Sequence, residues 1–332
     1  MAYDPNVLRR ATEQLETQRS AHNLNRARLR VDAYRRQPRL EQLDRQLQGT
    51  MAQLMAAALR SGESVKDAVQ AIKADNLAIQ KEREELLAQL GLAPDALEDA
   101  PLCPLCGDTG WKGVQMCACL KKIYTSEQIA ELSKLLDLGS QSFDTFRLDY
   151  YSPQQQNGQP ISPRRNMEWI LRVCKDFVSA FGKSGVKNLY FHGTPGLGKT
   201  FLSACIARAV SEQGRSVVYD TAGNIFAQFE DRKFQRFGDN QEARDETRRY
   251  LNCDLLILDD LGSELTTQFT QTALYELINT RLVAGRHTVI SSNLSLPELA
   301  QRYSPQIASR IGGEFHDLWF FGEDIRFLKK QR

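Results

Sequence analysis

The chain has 332 residues, 42% of them hydrophobic, and a formal net charge of +2 from 43 Lys and Arg against 41 Asp and Glu. That length suits about two domains, and the near balance of charge excludes a bulk positive field that would commit the whole protein to nucleic acid. The amino terminus has no apolar h-region, and no apolar run approaches the roughly 18–20 residues that span a bilayer, so a soluble, cytoplasmic protein without membrane contact is expected.

Residues 5–90 read as helix almost throughout, rich in Leu, Ala, Gln, Arg and Glu, with Pro38 the one proline after the start. Apolar residues recur at helical spacing: Leu40, Leu43, Leu47, Met51 and Leu54, then Val65, Val69, Ile72, Ile79, Leu86 and Leu90. Gly62 and Ser64 mark a break between helices, with Ser64 a possible N-cap. Such thin apolar stripes suit a small bundle or a partner-binding surface, and residues 1–99 are read as a helical, partner-binding region. The first fifty residues carry ten Arg, no Lys and six acidic groups, which is read as solvated helix faces.

A Pro-rich hinge, Ala93–Pro101, leads to the cysteine segment, residues 100–122. A helix near Thr125–Leu138 is expected next, capped by Thr125 or Ser126. The polar stretch YYSPQQQNGQPISPRR then reads as a linker with little that could pack, so residues 123–165 form a connecting helix and linker. From Asn166 the pattern changes. Strand candidates are Asn188–His192, Ser216–Asp220, Leu255–Asp259, Thr288–Ser292 and Asp317–Phe321, and helical segments separate the first four. That alternation predicts an α/β domain over residues 166–332, a parallel sheet with helices on both faces.

Gly193–Thr200, GTPGLGKT, fits G-x-x-x-x-G-K-[ST] between a predicted strand and a predicted helix. Glycines there let backbone N–H groups cradle phosphate oxygens, so Gly193, Thr194, Pro195, Gly196, Leu197, Gly198 and the following Phe201 are assigned to nucleotide binding. Lys199 would neutralise the β- and γ-phosphates, and Thr200 would place its hydroxyl on Mg²⁺. LLILDD, Leu255–Asp260, describes a buried strand that delivers two carboxylates to the ligand-bearing edge of such a sheet. Asp259 would hold Mg²⁺ through water and Asp260 would act as general base. Asn293 follows the next strand, where a polar residue could orient the lytic water.

Cys103-x2-Cys106-x10-Cys117-x-Cys119 holds four of the seven cysteines. In a cytosolic chain the set matches a closed, structural Zn²⁺ site, with free buried thiols or redox-active cysteines as the alternatives. Phe226, Phe229, Phe234 and Phe237 interleave with Arg232, Lys233 and Arg236. Aromatic and basic groups together can bind single-stranded nucleic acid, while packing of the phenylalanines on the sheet accounts for at least half of them.

GTPGLGKT, LLILDDLG, VISSNLS, IASRIGG and FFGEDIR, in that order, resemble the AAA+ domain of the DnaC/DnaI-type replicative helicase loaders, a core shared with the IstB-type transposition helpers. The likeness covers the ATPase core from Asn166, is weaker in the cysteine segment, and is slight in the first ninety residues. It implies an AAA+ P-loop NTPase with a five-stranded parallel sheet in the order 5-1-4-3-2, no helical lid after Arg326, and Asn293 as the sensor-1 residue. It further implies that Arg310 is an arginine finger acting on a neighbouring subunit, so that the ATPase self-associates, and that Arg326 is the sensor-2 arginine. In such loaders the zinc-bearing region binds the hexameric helicase and the ATPase ring binds single-stranded DNA, on the side where Arg232, Lys233 and Arg236 stand here. The implied function is ATP-dependent loading of a DnaB-like helicase onto single-stranded DNA, with ATP, Mg²⁺ and Zn²⁺ as cofactors. The alternatives are an IstB-like transposition helper and a zinc-dependent adaptor with an ATP-gated switch and little turnover.

Overall fold

A computed structural model describes residues 3–58, 64–138, 140–155, 158–183, 185–233 and 241–330. The chain divides into two compact units, Thr12–Cys119 and a larger one formed by Met1–Ala11 with Leu120–Arg332.

The helix expected over residues 5–90 is cut into three: α1 (Pro5–Arg36), whose first residues belong to the larger unit, α2 (Pro38–Ala58) and α3 (Ser64–Gln89). The cut at Gln37 has a simple cause. Pro38 cannot donate a backbone hydrogen bond and sits at the first position of α2, where none is needed. The expected break near Gly62 lies outside the described residues; α3 begins at Ser64 itself, and the side chains of residues 51–69 also lie outside them. Ala33, Leu40, Leu87 and Leu97 form a small core. Leu97 belongs to the predicted hinge, which is therefore anchored, and the carbonyl of Pro94 accepts from the Arg83 guanidinium at 2.8 Å. Arg83 also pairs with Asp44 at 2.6 Å. The smaller unit ends in a two-stranded hairpin, β1 (Trp111–Lys112) and β2 (Gln115–Met116), which separates the two cysteine pairs.

α4 (Ala118–Leu132) corrects the helix expected at Thr125–Leu138. Its buried residues Leu120, Tyr124, Gln128 and Leu132 recur every fourth position, so Thr125 and Ser126 lie mid-helix and cap nothing. The Thr125 hydroxyl instead donates to the Ser211 carbonyl at 3.4 Å. The stretch expected as a linker packs at its two ends. Tyr151 is 3% exposed, a 3-10 turn occupies Leu148–Tyr150, and Ser162 caps α5 (Pro163–Ser179) by accepting from Arg165 N.

The remaining elements are β3 (Asn188–His192), α6 (Lys199–Glu212), β4 (Val217–Thr221), α7 (Ala222–Lys233), α8 (Gln241–Asn252), β5 (Leu255–Leu261), α9 (Gln268–Val283), β6 (His287–Ser292), α10 (Leu296–Arg302), α11 (Pro305–Glu314), β7 (His316–Trp319) and α12 (Ile325–Lys330). The strands form one parallel sheet in the order β4-β5-β6-β3-β7, which is the expected 5-1-4-3-2 read from the other edge. β3 and β6 are buried at every position, as strands covered by helices on both faces must be. One apolar cluster includes Ile170, Phe177, Leu202 and Ile257; the other includes Tyr190, Phe229, Leu256 and Leu277. None of the described helices is long and apolar enough to cross a membrane.

Candidate nucleotide site and cysteine cluster

β3 runs straight into Gly193, and α6 begins at Lys199, with Gly198 as its left-handed N-cap at φ 92°. The loop between them therefore joins the carboxyl edge of a central strand to a helix amino end, where free N–H groups and the helix dipole favour an anion. Close approach to backbone makes Gly193 necessary, and a left-handed φ of 82° favours glycine at Gly196. An added Cβ would stand 2.1 Å from the Phe320 carbonyl oxygen at Gly193, and 2.0 Å from Asp324 Oδ1 at Gly196.

The Lys199 side chain is buried against its own loop. Its ammonium donates to the carbonyl oxygens of Gly193 at 2.5 Å and Thr194 at 3.0 Å, and to Asn293 Oδ1 at 3.2 Å. Burial pushes its pKa down to about 8, although the charges of Asp259 and Asp260 pull the other way.

Asp259 and Asp260 are neighbours in sequence with different environments. Asp259 is 2% exposed, and its Oδ2 accepts from Tyr219 at 2.7 Å and Thr200 at 3.2 Å. The strand runs on to Leu261 instead of stopping at Asp259; a bulge after Leu258 and a left-handed Asp260, φ 54°, turn that carboxylate outward to line the cavity beside the Gly193–Thr200 loop. Partial burial raises the pKa of Asp260, the Asp259 charge raises it further, and Lys199 and Arg326 oppose the rise.

One cavity of about 480 Å³ is lined by Pro195–Phe201, Asp260, Asn293 and Arg326. Lys199, Thr200, Asp260, Asn293 and Arg326, scattered over more than a hundred residues of chain, thus meet at one place. Asp259 stands behind Thr200. Arg310 does not join them: it is exposed on α11 and lines a separate cavity with Tyr275, Gln306 and Glu314.

The opposite wall escaped the sequence reading. Phe146, Arg147, Tyr150 and Tyr151 line the same cavity, with Ile325 beside them. Tyr151 donates to the Leu197 carbonyl at 2.9 Å, and its ring lies 5.9 Å from that of Phe146 at an interplanar angle of 23°. A flat aromatic wall beside a phosphate loop suits a nucleobase. The visible signal was the aromatic run in FRLDYY, which sits at the edge of the stretch read as a linker.

In the smaller unit, the four sulfurs of Cys103, Cys106, Cys117 and Cys119 all lie within 4.8 Å of one another. Cys103 and Cys117 are 3.8 Å apart, and Cys106 and Cys119 are 3.5 Å apart. Tetrahedral zinc with Zn–S bonds of about 2.3 Å requires sulfurs about 3.8 Å apart, so the donor set fits that ion. Asp108 fixes the knuckle: its carboxylate accepts from Cys103 N at 2.7 Å and Leu102 N at 3.0 Å.

The suggested nucleic-acid patch is divided. Phe226 and Phe229 are buried against the sheet, as the packing reading requires. Arg232 and Lys233 are exposed at the end of α7, Arg232 3.9 Å from Glu276 and Lys233 over the Phe269 ring at 5.1 Å. Arg236, Phe234 and Phe237 lie outside the described residues.

Residues 172–310 match the family model described as IstB-like ATP binding protein. The replicative helicase loader DnaC of Escherichia coli K12 is 23% identical over 141 residues, 42% of this chain and 56% of that protein. The uncharacterized protein YdaV of the same strain is 25% identical over 128 residues, 39% of this chain and 50% of that protein. The chain thus spans about half the length of the curated relatives it matches. A crystal structure of the DnaC helicase loader aligns over 54% of this chain and 98% of its own, with 24% identity and a TM-score of 0.42. The family match over residues 172–310 falls on the five-stranded parallel sheet and takes in most of the residues gathered at its carboxyl edge.

Proposed function

We propose that this protein is an ATP-dependent loader that places a DnaB-like hexameric helicase on single-stranded DNA, acting in the cytoplasm. The observation that carries the ATPase half of the reading is the convergence of Lys199, Thr200, Asp260, Asn293 and Arg326 on one cavity at the carboxyl edge of the sheet. Lys199 leaves its loop carbonyls for the β- and γ-phosphates of ATP. Thr200 and Asp259 hold Mg²⁺, which when bound neutralises charge on the phosphate oxygens. Asp260, turned outward with a raised pKa, takes the proton of the attacking water. Asn293 orients that water, and Arg326 stabilises charge on the transferred phosphoryl.

The position of Arg310 supports completion of the site by a neighbouring subunit, since it lines a different cavity of its own chain. The four-cysteine set holds Zn²⁺ and, with the helices of the smaller unit, grips the helicase. Arg232, Lys233 and Arg236 contact single-stranded DNA. The test is capture of the replicative helicase from the same source by the intact chain. Failure to bind it sinks the loader reading and leaves the ATPase reading intact.

The IstB-like family match favours one second reading, a transposition helper. Capture of a transposase in place of the helicase would select it.

A further inference from the structure

The strand beside the acidic one contributes a group that the nucleotide site has not yet used. Tyr219 lies on β4, two residues before Thr221, which pairs with Asp259 across the β4–β5 ladder. Residues two apart share a face of a sheet, so Tyr219 is the diagonal neighbour of Asp259, a separation of roughly 7–8 Å at the backbone that a phenol can cross. It does so: the Tyr219 hydroxyl donates to Asp259 Oδ2 at 2.7 Å. The same oxygen accepts from Thr200 at 3.2 Å, and Oδ1 accepts from Asp260 N at 3.0 Å. Three donors from three places thus hold a carboxylate that is itself nearly inaccessible to water.

We infer that Tyr219 is a positioning residue for Mg²⁺, orienting Asp259 toward Thr200 so that the two side chains present a preset pair of oxygens to the ion. The inference rests on the proposed role of Asp259 and deepens it. Tyr219 suits the task because its ring packs in the apolar cluster with Ile257 and Leu202, which leaves the hydroxyl little freedom. Partners behind a metal ligand set its orientation, and their loss costs about 10–100-fold in metal affinity.

Tyr219→Phe keeps the ring and removes the hydroxyl. Binding of a fluorescent ADP analogue to the full chain is measured against Mg²⁺ concentration and again in excess EDTA, alongside the thermal midpoint. The expected result is a rise of about tenfold in the Mg²⁺ concentration for half-maximal binding, with unchanged affinity in EDTA. An unaltered Mg²⁺ dependence, with or without a lower thermal midpoint, overturns the inference and makes Tyr219 a purely structural residue. If nucleotide binding by the wild-type chain ignores Mg²⁺, the reading of Asp259 falls together with it.

Discussion

The Lys199 ammonium lies 3.2 Å from the carboxamide oxygen of Asn293, so the phosphate loop and the end of β6 are joined through one buried cation. That cation has a pKa near 8 in the folded chain against an ordinary 10.5. The native state therefore binds fewer protons than the unfolded chain between these values, and the contribution of Lys199 to stability rises with pH across that window. A triphosphate reverses the preference, because it attracts the charged form. Binding of ATP at about pH 8.5 should take up a proton at Lys199. Calorimetry in two buffers of different ionisation enthalpy should show that uptake in the wild type and not in Lys199→Met. Proton release in the wild type would contradict it.

Asp260 projects into the cavity while Asp259 is sealed behind Thr200. Asp260→Asn should leave nucleotide affinity nearly unchanged and slow hydrolysis by about 10²-fold or more, as loss of a general base does. Asp259→Asn should weaken Mg²⁺-dependent binding as well. Single-turnover hydrolysis and nucleotide titration, run on both variants, separate the two roles; equal losses of affinity would refute them.

Gly193 and Gly223 give a paired test of backbone strain. At Gly193, φ 139°, an added methyl meets the Phe320 carbonyl oxygen at 2.1 Å, whereas at Gly223, in α7, it meets nothing within 4 Å. Gly193→Ala should therefore cost about 1–3 kcal/mol and at least tenfold in nucleotide affinity. Gly223→Ala should stabilise the chain by about 0.5–1 kcal/mol through helix propensity. Urea midpoints and nucleotide titrations of both variants read the difference.

The cysteine cluster should retain one zinc ion per chain through purification, as measured by mass spectrometry of the metal. Cys106→Ser should release it, since a structural site needs all four thiolates. Asp108→Ala should weaken zinc retention, because it removes the acceptor for two backbone donors of the knuckle. A chain purified without zinc under non-chelating conditions would dispose of the metal reading.

The phosphate loop and the acidic strand were legible because their chemistry is local. A strand, a turn of glycines and a helix start occupy contiguous residues, and alternating apolar runs mark a buried parallel sheet without knowledge of its neighbours. The helix boundaries of α4 were not legible. Thr125 and Ser126 look like caps in isolation, and only the burial of Leu120 and Tyr124 places them mid-helix. Tyr151 was hidden for the same reason, since its value to the fold is a hydrogen bond to a carbonyl 46 residues away.

The order of strands followed from the resemblance, and the direction of each carboxylate did not. Adjacent Asp259 and Asp260 are identical as letters. What separates them is a bulge between β5 and β6, which buries one beneath Thr200 and Tyr219 and turns the other outward. Residue type and local spacing thus define which groups can do chemistry here. Only pairing across the sheet, where side chains distant in sequence meet on one oxygen, decides which carboxylate is buried and which faces the cavity.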